Sequence, residues 1–254
     1  MKRLLLCFFM VAFLPISAQA VEVTHHLASS IAFLDAAEET FTYKFYNNRD
    51  YDIKTSVVTT NTFGALYPFK ATYHSVGTYN KNVFKPQSYF QTSESRFHNR
   101  SKEIVYADGV PQYRISIKDD YKRQDETPID SKYASSNDLL STFAALTEQI
   151  IRQNKCDFEQ YSFNGKRYSL SKVKTVGKEK IKTPYFEGKA LKCQYQLEVL
   201  DDADAGFMLQ KDEPIYFWVL RDKQTDLPFI ARILVESTPF GELEALTTKI
   251  EVKK

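Results

Sequence analysis

Apolar and polar residues alternate with a period of two along most of this chain, and only one long stretch departs from that rule. A period of two puts successive side chains on opposite faces of a strand, so such a chain folds as sheet. The exception is Asn137 to Asn154, NDLLSTFAALTEQIIRQN. There Leu139, Leu140, Phe143, Leu146, Thr147, Ile150 and Ile151 share one helical face, and Ser141, Thr142, Glu148, Gln149 and Arg152 take the other. Ser136 or Asn137 is expected to cap this helix, with Asp138 in its first turn, where the helix dipole favours an anion. Many strands and one amphipathic helix predict a mainly β protein, a curved antiparallel sheet or open half-barrel wrapped around one central α-helix.

Turns mark the hairpins. FTYKFYN places Phe41, Tyr43 and Phe45 on one face and leads through Asn47-Asn48 into the β-branched run DIKTSVVTT. Asp108-Gly109 divides KEIVYADGVPQYRISI into two strands, and Asn164-Gly165 joins DFEQYSF to KRYSLSKVK. PIYFWVL is apolar on both faces, with Ile215, Phe217 and Val219 against one layer and Tyr216, Trp218 and Leu220 against another, so it belongs at the centre of the sheet. Two segments lack a strand pattern. Residues 21–39, with Leu27, Ile31 and Leu34 near helical spacing, are expected as a short helix or a leader. The charged stretch from Lys118 to Ser136, interrupted by Pro128, is expected as a long loop into the helix. Residues 40–254 then form one β-rich domain containing the helix 137–154.

Lys2 and Arg3, the apolar run after them and the ending Ala18-Gln19-Ala20 have the order of a secretory signal, with cleavage expected after Ala20. That removes two of 34 basic residues, leaving 32 against 32 acidic, and a neutral chain gives nucleic-acid binding no electrostatic support. No later stretch is long enough for a transmembrane helix. Cys156 and Cys193 are the two cysteines that remain, and in an exported chain they are expected to pair as a structural disulfide. Closing that loop contributes about 4 kcal/mol by chain entropy.

Chemistry-bearing motifs are missing. His25, His26, His74 and His98 show no metal-ligand spacing, and His25-His26 falls just after the cleavage point, where a flexible segment is expected. The run Asp201-Asp202-Ala203-Asp204-Ala205-Gly206 fails as a calcium loop because alanines occupy two ligand slots. No nucleophile elbow or phosphate-cradling glycine loop occurs. The expectation is therefore a protein with no enzyme activity, no metal and no cofactor. Two surfaces remain as candidates for a partner or a membrane. One is a basic hairpin with Lys172, Lys174, Lys180 and Lys182, although lysines also guard free sheet edges. The other is an apolar loop tip around Phe207 and Met208.

Phe84-Lys85-Pro86, Asn137-Asp138-Leu139-Leu140-Ser141, the run Phe163 to Tyr168 (FNGKRY), the run Phe217 to Asp222 (FWVLRD), Leu227-Pro228 and Phe240-Gly241 together resemble the bacterial family called domain of unknown function 3108. The resemblance spans roughly residues 40–252. It implies an exported, periplasmic envelope protein of Gram-negative bacteria, with an architecture similar to the Lol-type lipoprotein carriers, whose open barrel and helical lid enclose a cavity for acyl chains. It supplies no catalytic residues. The leading expectation is thus a non-catalytic protein that holds a lipid, a lipoprotein or another hydrophobic envelope molecule in an apolar cleft. The residues assigned to that cleft are Phe143, Ile150, Tyr195, Phe217 and Trp218, although for any one of them plain core packing is the commoner role. The alternative is a structural or assembly factor acting through contacts with an envelope protein.

Overall fold

The computed structural model describes residues 21–46, 49–80, 83–118, 123–200, 213–222 and 227–253. The signal segment and the loop tip with Phe207 and Met208 lie outside the described residues. From the N-terminus run β1 (Val21–Ile31), β2 (Leu34–Phe45), β3 (Asp50–Thr59), the short helix α1 (Asn61–Leu66), β4 (Phe69–Asn80) and β5 (Val83–Ser95). β6 (Asn99–Ala107), β7 (Val110–Lys118) and β8 (Arg123–Pro128) follow, then a single 3-10 turn (Ser131–Tyr133) and the helix α2 (Leu139–Gln153). β9 (Phe158–Phe163), β10 (Tyr168–Lys182), β11 (Glu187–Val199), β12 (Ile215–Arg221), β13 (Pro228–Thr238) and β14 (Gly241–Lys253) complete the chain.

All described strands form one sheet in the order β8-β7-β6-β5-β4-β3-β2-β1-β14-β13-β12-β11-β10-β9. The chain steps outward from β1 to one edge at β8, passes through α2 to the opposite edge at β9, and returns inward until β14 pairs with β1 from Glu22↔Lys253 to Ile31↔Leu243. The two edges do not pair, so the barrel stays open, and α2 lies in its concave face against both halves of the sheet. Asn137 covers part of the β9 edge: its N–H donates to Tyr161 O and its carbonyl accepts from Phe163 N, at 3.1 and 2.8 Å.

Both helix ends are fixed by the sheet. Asp138, not Ser136 or Asn137, is the N-cap. Its Oδ1 accepts from the N–H groups of Leu140 and Ser141 at 2.8 and 2.9 Å, and its Oδ2 from the hydroxyls of Ser141 and Ser75 at 2.6 and 2.8 Å. At the other end Asn154 takes the left-handed conformation, φ 51°, and Arg221 of β12 donates to the terminal carbonyls of Ile150 and Ile151, which also suits the helix dipole. Ser141 and Thr142, expected on the wet face, are buried together with Ala144 and Ala145. The helix is enclosed by sheet on most of its circumference, so the polar side has no solvent to face.

Two further expectations need correction. Residues 21–39 are strand, not helix or leader: Val23, His25, Leu27, Ser29 and Ile31 all point into the core. Leu27 and Ile31 are four apart, a spacing that satisfies both the helical and the strand period, while the inward His25 and Ser29 hide the alternation. His25 is accordingly buried instead of lying in a flexible segment. The charged stretch 118–136 contains β8, paired with β7 from Tyr113↔Pro128 to Lys118↔Arg123. Charge is what an edge strand needs, and it masks the strand pattern. The signalled hairpins form as expected: Asp108 and Gly109 take φ 53° and 80° at the β6–β7 turn, and Cys156 and Cys193 form a disulfide with a Cα separation of 6.0 Å.

Candidate functional site

Between α2 and the strands β10 to β13 the interior is not filled. Leu139, Phe143 and Leu146 on the helix and Val173, Phe217 and Ile233 on the sheet line a cleft of about 290 Å³, to which Phe41 of β2 and Phe158 of β9 also contribute. The Phe41 and Phe143 rings meet edge-on at 4.7 Å. Polar groups on this wall are few. Thr142 spends its hydroxyl on Asp138 O at 2.8 Å, whereas Ser171 Oγ and Tyr195 Oη lie 3.2 Å apart and can turn toward a ligand. Burial pushes the Tyr195 phenol pKa up, so this pair stays neutral and offers hydrogen bonds without charge. Such a surface binds by excluding water from carbon and can orient one polar group.

A second, wider cleft of about 590 Å³ opens beside it on the same concave face, lined among others by Ile31, Ala37, Val57, Phe63, Phe69 and Leu243. Phe41 borders the first cleft and Glu39, two residues earlier on the same face of β2, the second, so the two adjoin. Glu39 accepts from Ser29 Oγ at 2.5 Å, and burial raises its pKa above the ordinary carboxyl value despite that bond. Phe33 and Phe97, 98% and 78% exposed, are carried on the turns at this end. Nothing local in the sequence marks this cleft, because its walls come from β1 to β5, α1 and β14 and are assembled by the pairing of the first strand with the last.

His25 is buried on β1, with its ring 5.3 Å from Tyr43 and 5.8 Å from Phe229. Burial holds its pKa down to about 4 from 6.5, with Asp222 acting in the other direction. The unfolded chain therefore takes up a proton between these values and the folded one does not. The stability His25 contributes is present above pH 6.5 and falls by about 3 kcal/mol as pH drops to about 4. Urea unfolding of the protein and of His25→Gln across that window is expected to show the stability of the former relative to the latter falling by about 3 kcal/mol as pH drops.

Of the five residues assigned to the cleft, Phe143, Tyr195 and Phe217 line it. Ile150 packs one helical turn farther on, where the space beside Phe143 and Phe217 shrinks to about 10 Å³, so it is core. Trp218 is a correction. Neighbours along a strand face opposite sides, and Trp218 points away from α2 into a separate cluster with Ile181, Ala190 and Leu234. The basic hairpin is largely paired: Lys172 meets Glu198 at 2.6 Å, and Lys180 and Lys182 meet Glu187 at 3.5 and 3.7 Å. β9 pairs with β10 only as far as Val173, so Lys174, Lys180 and Lys182 stand along a free edge, which favours their edge-guarding reading.

Among the described residues no group of His, Cys, Asp and Glu is placed to hold a metal ion, and no helix is long and apolar enough to cross a membrane. The fold has a solved counterpart. The crystal structure of a β-barrel-like protein of domain of unknown function DUF1849 from Brucella abortus is similar over 92% of this chain and 98% of that one, with a TM-score of 0.56 and 8% sequence identity, a likeness of fold alone. No curated protein matches. The family described as "Protein of unknown function (DUF3108)" matches residues 25–248, which takes in the N-cap Asp138, the Asn164-Gly165 turn and β12, an interior strand that stands fourth from the β9 edge and not at the centre of the sheet. The chain belongs to the DUF3108 family.

Proposed function

We propose that this protein is an exported, non-catalytic carrier or binding protein that holds a lipid or another hydrophobic envelope molecule on the concave face of its open barrel. The observation that carries this reading is the unfilled apolar cleft between α2 and β10 to β13, adjoining a wider one. A protein built only to present its surface gains from closing such space, because each unfilled volume forfeits packing. The secretory order of the first twenty residues supports a periplasmic setting. A second reading, an assembly factor working through protein contacts, rests on the exposed Phe33 and Phe97.

Native mass spectrometry of protein purified from periplasm without detergent, followed by organic extraction, tests the first reading. A reproducible lipid adduct is expected, and Leu139→Trp, which sets an indole into the cleft, is expected to lose it while remaining folded. A clean apo mass that stays unchanged when envelope lipids are added would overturn the carrier reading in favour of the second.

A further inference from the structure

Large apolar side chains stand in water where the wider cleft opens. Phe33 is carried on the two-residue turn between β1 and β2, Phe97 on the turn between β5 and β6, and Leu66 and Tyr67 at the end of α1, all of them more than half exposed. Leu66, Tyr67 and Phe97 also line the cleft, and Phe240 at the β13–β14 turn joins them, with its ring 5.7 Å from that of Tyr67. Ala32 packs beside Gly241 of that turn and donates its N–H to Glu242 O at 2.9 Å, which sets Phe33 at the same rim. Separate turns thus bring their apolar tips to the mouth of one cleft.

Folding does not account for these tips. Ala32 and Phe33 take φ 49° and 68°, the left-handed pair of a tight hairpin, which Asn-Gly adopts at little cost and Ala-Phe does not. With its side chain in solvent, Phe33 gains no packing to offset that strain. The β5–β6 turn does not need its ring either, because Ser95 Oγ accepts from the N–H groups of Phe97 and His98 at 3.3 and 3.1 Å. Arg96 donates to Ala65 O and Asn61 Nδ2 to Asp35 Oδ2, both at 3.3 Å, so polar contacts tie the three turns together and leave the apolar groups outward. Exposed charge along these turns is mixed, Lys70 and Arg96 against Asp35, Glu38 and Glu242.

We propose that this rim docks on the surface of a lipid bilayer, with Phe33, Leu66, Tyr67 and Phe97 inserted among the acyl chains. The strongest contacts of a protein interface gather at a well-packed centre, and the centre of this rim is an open cleft that a rigid partner surface leaves unfilled. A bilayer demands no such fit. Each tip enters it separately, and a lipid passes between the acyl layer and the cleft without its chains crossing water. Tyr67, apolar in its body and polar at its tip, suits the boundary. Balanced charge makes this docking a matter of burial and not of attraction to anionic headgroups. It rests on the carrier reading for the purpose of the cleft, and on exposure and backbone strain for the surface.

Flotation of the mature protein with vesicles of phosphatidylcholine, and of phosphatidylethanolamine with phosphatidylglycerol, is the experiment, with native mass spectrometry of the same protein for retained lipid. Binding to both vesicles is expected, changing less than about threefold between about 50 and 500 mM salt. Phe33→Gly is expected to weaken it about tenfold or more with the melting temperature unchanged or raised, since glycine relieves the left-handed turn. Phe97→Ser is expected to act alike without a gain in stability, and both variants to keep the lipid adduct. Val83→Ser, an exposed side chain at the opposite end of β5, is expected to change nothing. Wild-type protein that keeps a lipid adduct and floats with neither vesicle would overturn docking and leave the carrier reading standing, whereas Phe33-dependent flotation without an adduct would do the reverse. Binding that survives Phe33→Gly combined with Phe97→Ser, falls equally in Val83→Ser or requires the anionic lipid would also overturn it. So would a Phe33-dependent dimer in sedimentation without vesicle binding, which makes the rim a contact between copies.

Discussion

Asp138→Ala is expected to destabilise the protein by about 4 kcal/mol and to lower its melting temperature by roughly 10 °C. The carboxylate has no accessible surface and accepts four hydrogen bonds, two from the backbone of the first helical turn and two from the hydroxyls of Ser141 and Ser75. Losing the cap alone costs about 1 kcal/mol. The rest follows from leaving buried donors unpaired in a site that also holds Tyr51, whose hydroxyl meets Ser141 Oγ at 2.6 Å. Asp138→Asn separates the cap from the charge. It keeps one oxygen for both N–H groups, and the two serine hydroxyls can rotate to accept from its amide, so a loss within about 1 kcal/mol is expected. Complete burial raises the Asp138 pKa above 3.8 even against those hydrogen bonds. The folded state then holds the proton more tightly than the unfolded state. The stability this group contributes is full below pH 3.8 and declines as pH rises through the folded value, the opposite sense to His25. Chemical denaturation of wild type and Asp138→Asn between pH 3.5 and 7 is expected to show the stability of the wild type relative to the variant declining as pH rises, with the His25 contribution cancelling in the difference.

The same residue shows how far the sequence reaches. That α2 exists, and that it begins near Asn137, follows from periodicity and from capping chemistry, both local properties. Which of Ser136, Asn137 and Asp138 caps it does not, because the choice is made by Ser75 and Tyr51 on strands more than sixty residues earlier in the chain. Asn164-Gly165 is legible as a hairpin because the left-handed conformation at Gly165 needs glycine. That the turn also rests on Lys102 and Arg114 is a product of the barrel's curvature. β8 and β1 are missed for complementary reasons: an edge strand is charged to prevent pairing, and a strand beside the clefts turns His25 and Ser29 inward. Both clefts lie where the two halves of the chain meet, so only single wall residues such as Phe143, Tyr195 and Phe217 can be named from sequence.

Trp218 gives the second large effect, and it divides folding from binding. The indole is 1% exposed and sits under Arg232 and Lys192, whose charges lie 4.6 and 5.0 Å from its ring. Its Nε1 donates to Glu179 Oε2 at 3.3 Å, and the two cations are held in turn by Glu244 and Glu179 at 2.7 and 3.2 Å. Trp218→Ala removes the body on which this layer is stacked, and a loss of about 4 kcal/mol is expected in thermal or urea unfolding. Trp218→Phe keeps most of the volume and should recover much of that loss, which guards against a variant too unstable to handle. Lipid retention measured on folded protein is expected to be unchanged in both, because Phe217, not Trp218, faces the cleft. Leu139→Trp is expected to do the reverse, lowering retention at little cost in stability. If the Trp218 variants release ligand while Leu139→Trp retains it, the binding surface lies on the outer face of β12 and the cleft under α2 is merely imperfect packing.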